Sequence, residues 1–167
     1  DLNLRAYGAA TDLVIDVAGY YVPPMGAVVS SSGTISRGSR ATASQRDGIP
    51  VKVMRFQDVD DTARFDAIWA CASLLHVPER EQPEAWRRLW RALKPGGVVY
   101  ASYKLGQAER VDEAGRAFTD ADEASLSEWL NPLRGIARVE TWLTTDQRPG
   151  QKQTWLNAFV YRQTAPR

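Results

Sequence analysis

The chain has 167 residues, 44% hydrophobic and 10% aromatic, which fits one globular domain with a real core and excludes wholesale disorder, a collagen-like rod and a coiled coil. Lys plus Arg number 21 against 20 for Asp plus Glu, and a net charge of +1 gives no electrostatic reason to expect nucleic acid or a membrane surface as partner. A single cysteine, Cys71, excludes an internal disulfide framework and points to a reducing, cytoplasmic setting, and no apolar run approaches the ~20 residues of a membrane helix.

The first residue is Asp1 rather than Met, as expected of a processed or trimmed chain or a fragment. Residues 13–22 (LVIDVAGYYV) are β-branched and aromatic, and Pro23-Pro24 ends them, which predicts one strand or a bent pair. Residues 26–48 hold four glycines, six serines and two threonines and read as a linker or long loop. Three segments are therefore expected: a strand segment over 1–25, a Ser/Gly-rich linker over 26–48, and an α/β domain over 49–167.

In that domain, residues 51–56 (VKVMRF) predict a short strand ending at Gln57-Asp58. The apolar run 65–72 (FDAIWACA) predicts a central parallel strand covered on both faces, with Cys71 a small core residue. A helix should follow. Pro83 suits its first turn, Glu79, Glu81 and Glu84 favour its positive end, and Trp86, Leu89, Trp90 and Leu93 fall at i, i+3, i+4 and i+7. Arg87, Arg88 and Arg91 form its wet face, and Lys94-Pro95-Gly96-Gly97 stops it. Val98 to Tyr103 is the next buried strand. Thr119 to Asp122 resembles a capping box opening a helix through Leu126, Trp129 and Leu130. Arg138 to Thr144 and Trp155 to Tyr161 alternate apolar and polar across a Pro-Gly turn and predict an antiparallel hairpin. The fold class is α/β: a Rossmann-like sheet, parallel at its centre, with an antiparallel C-terminal hairpin.

Residues 65–78 (FDAIWACASLLHVP), then 87–106 (RRLWRALKPGGVVYASYKLG), then Glu109-Arg110, 115–118 (GRAF) and 122–126 (DEASL), occur in the order found in class I S-adenosylmethionine-dependent methyltransferases. Over about residues 48–163 the chain resembles that family, and within it the small bacterial tellurite-resistance or thiopurine-type enzymes. The resemblance implies S-adenosylmethionine as cofactor, methyl transfer to a small-molecule acceptor, and no dedicated acid–base residue, since catalysis there is mostly positioning. It implies that Gln57 and Asp58 face the adenine, and that Ala70, Cys71 and Ser73, with Ala72 between them, lie beside the methionyl part. Asp16 and Gly19 match the opening of the family's glycine-rich cofactor turn.

The sequence also departs from the family. Tyr20, Tyr21 and Pro23 stand where that turn needs small residues, and no acid lies within residues 35–39, where the ribose ligand belongs. Residues 11–24 (TDLVIDVAGYYVPP) instead resemble strand repeats of secreted bacterial surface proteins. These departures predict a methyltransferase sheet incomplete at its N-terminus, in a fused or truncated chain. The second expectation is accordingly a non-catalytic, methyltransferase-like interaction module that self-associates through an uncovered sheet edge. On the acceptor side, His76, Tyr103, Lys104 and Arg110, with Glu109, Arg116 and Phe118, match positions that recur in the family. Read from the residues alone, His76 is more often a packed junction residue than a base, a lone His and a lone Cys build no metal site, and 103–118 is a solvated loop with one ion pair. Trp86, Trp90, Trp129, Trp142 and Trp155 are expected to anchor the core or its edges.

Overall fold

The computed structural model describes residues 13–15, 55–111, 117–147, 150 and 152–166. The remaining candidates, among them Asp16, Gly19 and Arg116, lie outside these residues, as do residues 51–54 of the expected strand. In chain order the elements are β1 (Leu13–Ile15), β2 (Phe65–Ala70), α1 (Gln82–Ala92), β3 (Leu93–Lys104), β4 (Glu109–Val111), β5 (Ala117–Thr119), α2 (Glu123–Leu130), β6 (Ile136–Thr145) and β7 (Thr154–Arg162). Single turns of 3-10 helix occupy Phe56–Asp58, Leu74–His76 and Glu79–Glu81.

The main sheet has the order β1-β2-β3-β7-β6. β1, β2 and β3 are parallel, while β7 is antiparallel to both β3 and β6, the architecture expected from the alternation of strand and helix signals. Leu13–Ile15 is a strand of this same sheet, with Ile15 opposite Trp69.

Alternation along the strands gives the sheet two faces. Ile68, Ala70, Val99, Ala101, Tyr103, Leu156, Ala158 and Val160 share one face and are at most 2% exposed. Tyr103 touches Trp86 of α1 and Trp129 of α2, so both helices cover that face. The other face carries aromatic rings: Trp69 stacks on Tyr100 with centroids 3.9 Å apart, and Phe159 and Trp142 continue the row. β2 is therefore buried on one side only among the described residues, with Ala67 and Trp69 half-buried, where coverage on both faces was expected.

α1 forms for the reasons visible in the sequence, with Pro in its first turn and Trp86, Leu89 and Trp90 buried. Leu93 is buried too, but extended, beyond the helix end. Gly96 has φ +81, and a Cβ on Gly97 would meet the Asp66 carbonyl at 2.7 Å, so this turn needs both glycines. The arginine face is only partly wet: Arg87 and Arg88 pair with Glu84, whereas Arg91 donates to the Val59 and Asp61 carbonyls and pins the incoming segment to α1.

Three expectations need correction. Phe56 is buried in a 3-10 turn rather than in a strand, because the Arg55–Asp58 pair closes the chain there. The cap of α2 is Asp122, whose carboxylate accepts from the Ser125 N–H at 2.8 Å. Thr119, read as that cap, is buried in β5 and donates to the Val77 carbonyl. The region after β3 is not simply loop: β4 and β5 form a two-stranded antiparallel ribbon, too short to register as alternation.

Candidate functional site

Three parallel strands end on one edge, and in such sheets ligands sit outside the carboxyl ends. Past Ala70 the chain turns sharply. Ala72 has φ +51, a left-handed backbone that costs a non-glycine residue about 1–2 kcal/mol. The turn is held by the Ala72 N–H donating to Ser102 Oγ at 2.8 Å, and Ser102 in turn reaches Cys71 Sγ at 3.8 Å. Cys71 is consequently exposed, not a core residue: the left-handed step at Ala72 swings it out of the strand.

Ser73, next in the turn, is only 2% exposed, and among the described residues its Oγ has no hydrogen-bond partner. Buried hydroxyls are ordinarily satisfied, so an orphan at a strand's carboxyl end is where a ligand atom belongs. Tyr100 lies beside this turn and donates to Asn157 Oδ1 at 2.8 Å. Burial, with Cys71 alongside, pushes its phenol up to about 12 from 10.0.

The second cluster is Gln57 and Asp58. Gln57 donates to Glu81 at 2.6 Å, just before α1, which places it at the same edge of the sheet. Its Oε1 is buried and unpartnered, the second orphan of the edge. Asp58 is half-exposed and held by both Nε and a terminal nitrogen of Arg55, and that guanidinium keeps its carboxyl below the ordinary carboxylate range. Ala70 is fully buried and Cys71 open, so the edge offers a polar floor with one reactive-type side chain beside it.

The acceptor-side residues behave differently. Tyr103 is fully buried: it receives a hydrogen bond from Trp86 Nε1 and donates to Gln82 Oε1 at 2.9 Å. Gln82 Nε2 passes the chain on to the Leu74 and Val77 carbonyls at 2.7 and 2.9 Å. Burial pushes the Tyr103 phenol far up, so it stays neutral. His76 is buried against Phe118, with Nδ1 2.7 Å from the Ala117 carbonyl, the packed junction residue anticipated from its position. Lys104 Nζ lies 3.9 Å from the Phe118 ring centroid, Arg110 stands 5.4 Å from it, and Arg110 pairs with Asp120. Glu109 accepts from the Glu79 N–H. Ser102, Tyr100 and Asn157, which support the turn, drew no attention in the sequence. A serine two positions past a buried tyrosine in a strand is the only signal they offer.

Residues 28–101 match the family model described as a methyltransferase domain, less than half of the chain and beginning inside the Ser/Gly-rich segment. The resemblance is to S-adenosylmethionine-dependent methyltransferases. Solved structures share the fold. One is Burkholderia thailandensis 1,6-didemethyltoxoflavin-N1-methyltransferase with bound 1,6-didemethyltoxoflavin and S-adenosylhomocysteine (20% identity, 77% of this chain and 58% of that one, TM-score 0.61). A SAM-dependent methyltransferase from Methanosarcina mazei is 15% identical, with 75% and 76% covered and a TM-score of 0.54. The DhpI–SAH complex is 23% identical, with 77% and 61% covered and a TM-score of 0.50. The chain thus spans 58% of the length of the Burkholderia methyltransferase. A search of curated proteins returns no match. The methyltransferase likeness read over about residues 48–163 is borne out; these matches do not carry the finer likeness to tellurite-resistance or thiopurine-type enzymes.

Proposed function

We propose that this chain binds S-adenosylmethionine at the carboxyl edge of β1, β2 and β3 and methylates a small-molecule acceptor there. The observation that carries the reading is the pair of buried, unpartnered oxygens, Ser73 Oγ and Gln57 Oε1, in two clusters at that edge. Both are places the methyltransferase resemblance assigns to the cofactor, so the residues present fit it.

Gln57 and Asp58 would hold the adenine end, and Ala70, Cys71 and Ser73 the methionyl part. β1 is parallel to β2 and its described residues end at Ile15; Asp16 and Gly19, next in sequence, are the residues the resemblance gives to the glycine-rich turn. Bound there, the cofactor supplies an electrophilic methyl group on a sulfonium. The chain's own contribution is positioning: the Ala72–Ser102 hydrogen bond fixes the turn, and the Tyr103–Gln82–Trp86 chain locks α1 to β3 beneath it. His76, Lys104 and Arg110 gather round Phe118 on the acceptor side and would shape that pocket's wall. Balanced charge and a lone thiol favour a cytoplasmic setting without nucleic acid or membrane. Among the described residues no helix is long and apolar enough to cross a membrane.

Titration calorimetry with S-adenosylhomocysteine tests the reading, with saturable one-to-one binding expected and no heat at millimolar ligand overturning it. Tyr20, Tyr21 and Pro23, where the turn needs small residues, favour a second reading, a non-catalytic methyltransferase-like module. Cofactor binding without methyl transfer to any acceptor in a small-molecule panel would support it.

A further inference from the structure

β6 is the outer strand of the sheet, and its exposed edge is unlike an ordinary protected one. It runs ten residues, Ile136–Thr145, with only Ile136 and Thr141 less than exposed. Among the described residues five large apolar side chains lie exposed, and Val139, Trp142 and Leu143 of this strand are three of them. Its pairing with β7 shifts register between Ile136 and Arg138 and is regular from there to Thr145. A regular, apolar, unpaired edge of eight residues is a template for another strand.

We propose that the occupant is a second copy of this chain, pairing β6 with β6 antiparallel about a twofold axis through Thr141. The sequence of the edge is self-complementary in that register. Val139 then stands opposite the second copy's Leu143, twice over, so that apolar meets apolar, and Thr141, whose hydroxyl donates to Glu123 of its own chain, stands opposite Thr141. Arg138 and Glu140, the charged residues of the regular stretch, face Thr144 and Trp142, so no like charges meet. Arg138 also lies diagonal to the second copy's Asp146, of opposite charge. Neighbouring registers are worse: an axis at Glu140 sets two carboxylates against each other, and an axis at Trp142 replaces both Val–Leu pairs with pairs to threonine.

A mixed apolar and polar surface continues under the strand, with Glu123, Ser127 and Asn131 among its lining. A groove of about 500 Å³ between α2 and β6 is lined by Leu126, Leu130, Ile136 and Val139, and the Val139–Leu143 pairs would form over its mouth on the helix-bearing face. The interface is isologous and closes after two copies. It requires nothing of the cofactor site and stands or falls separately from methyl transfer.

Single cysteines in a Cys71→Ser background test both the dimer and its register. Residues directly opposite across an antiparallel pair lie about 4.5–5.5 Å apart at Cα, within disulfide range. Thr141→Cys should cross-link to itself under mild oxidation, while Val139→Cys and Leu143→Cys, each opposite the other, should not. Light scattering of the unmodified chain should give the mass of two copies, and Leu143→Lys should shift it to one with the far-UV circular dichroism spectrum unchanged and a melting temperature that no longer depends on concentration. A monomer at every concentration overturns the proposal, as does a dimer in which Val139→Cys cross-links as readily as Thr141→Cys.

Discussion

The two halves of the carboxyl edge are built from the same strands and treat their polar groups in opposite ways. Around His76 and Tyr103 the buried groups form a continuous chain, Trp86 to Tyr103, Tyr103 to Gln82, Gln82 to two carbonyls and Thr119 to Val77, and the one orphan nearby among the described residues is Oδ1 of Asp120, whose other oxygen pairs with Arg110. Around Ser73 and Gln57 two buried oxygens are left without partners, and one backbone step is held in a left-handed conformation. The first pattern is that of a scaffold, and the second is the one on which the proposed cofactor site rests, since unpaired buried polar atoms are costly unless something else satisfies them.

The contrast can be broken from the scaffold side first. Trp86→Ala removes a side chain with no exposed surface and should lower stability by about 3–5 kcal/mol, measured by urea unfolding. Tyr103→Phe strands Gln82 and Trp86 and should cost about 1–3 kcal/mol, with the affinity for S-adenosylhomocysteine within twofold of the parent. A large loss of affinity without loss of stability would place Tyr103 in the site instead.

From the ligand side the signs reverse. Ser73→Ala should leave stability unchanged or slightly raised, because it deletes an unsatisfied hydroxyl, while weakening ligand binding by about 1 kcal/mol, roughly fivefold. Ala72→Gly should relieve the left-handed strain and raise the melting temperature, by about 1 kcal/mol in stability at most. Tyr100 gives an effect that is read against pH. Its folded pKa is raised to about 12 from 10.0, so its contribution is complete below pH 10 and is lost as the pH rises towards 12. Tyr100→Phe should flatten that part of the alkaline stability profile and, because Asn157 Oδ1 loses its donor, lower stability across the neutral range by about 1–3 kcal/mol.

Much of the scaffold was legible because it is periodic. The i, i+3, i+4 spacing of Trp86, Leu89 and Trp90 marked α1, and the glycines at 96 and 97 marked its end, falling in the first residues of β3, where the backbone geometry indeed requires them. The β6–β7 hairpin was legible from alternation and a Pro-Gly turn. The cap of α2 was misplaced by three residues because Thr119 and Asp122 are equally good capping types and only packing sends Thr119 into β5.

The site was legible by resemblance and not by pattern. Nothing in the run from Trp69 to Leu75 announces that Ala72 turns left-handed, since alanine is no marker of positive φ, and so Cys71 looked like core and is exposed. Tyr103 and His76 were singled out by family position, yet what distinguishes them is their hydrogen-bond partners, which come from Gln82 and Ala117, distant in sequence. Long-range partners are what single-sequence reading lacks.

Amide chemical-shift mapping during titration with S-adenosylhomocysteine tests the central claim most directly. Saturable shifts concentrated at Gln57, Asp58 and residues 70–73, with the amides around Tyr103 and Gln82 little moved, are the predicted result. No shifts at saturating ligand, or shifts centred away from the β2 turn, would contradict it.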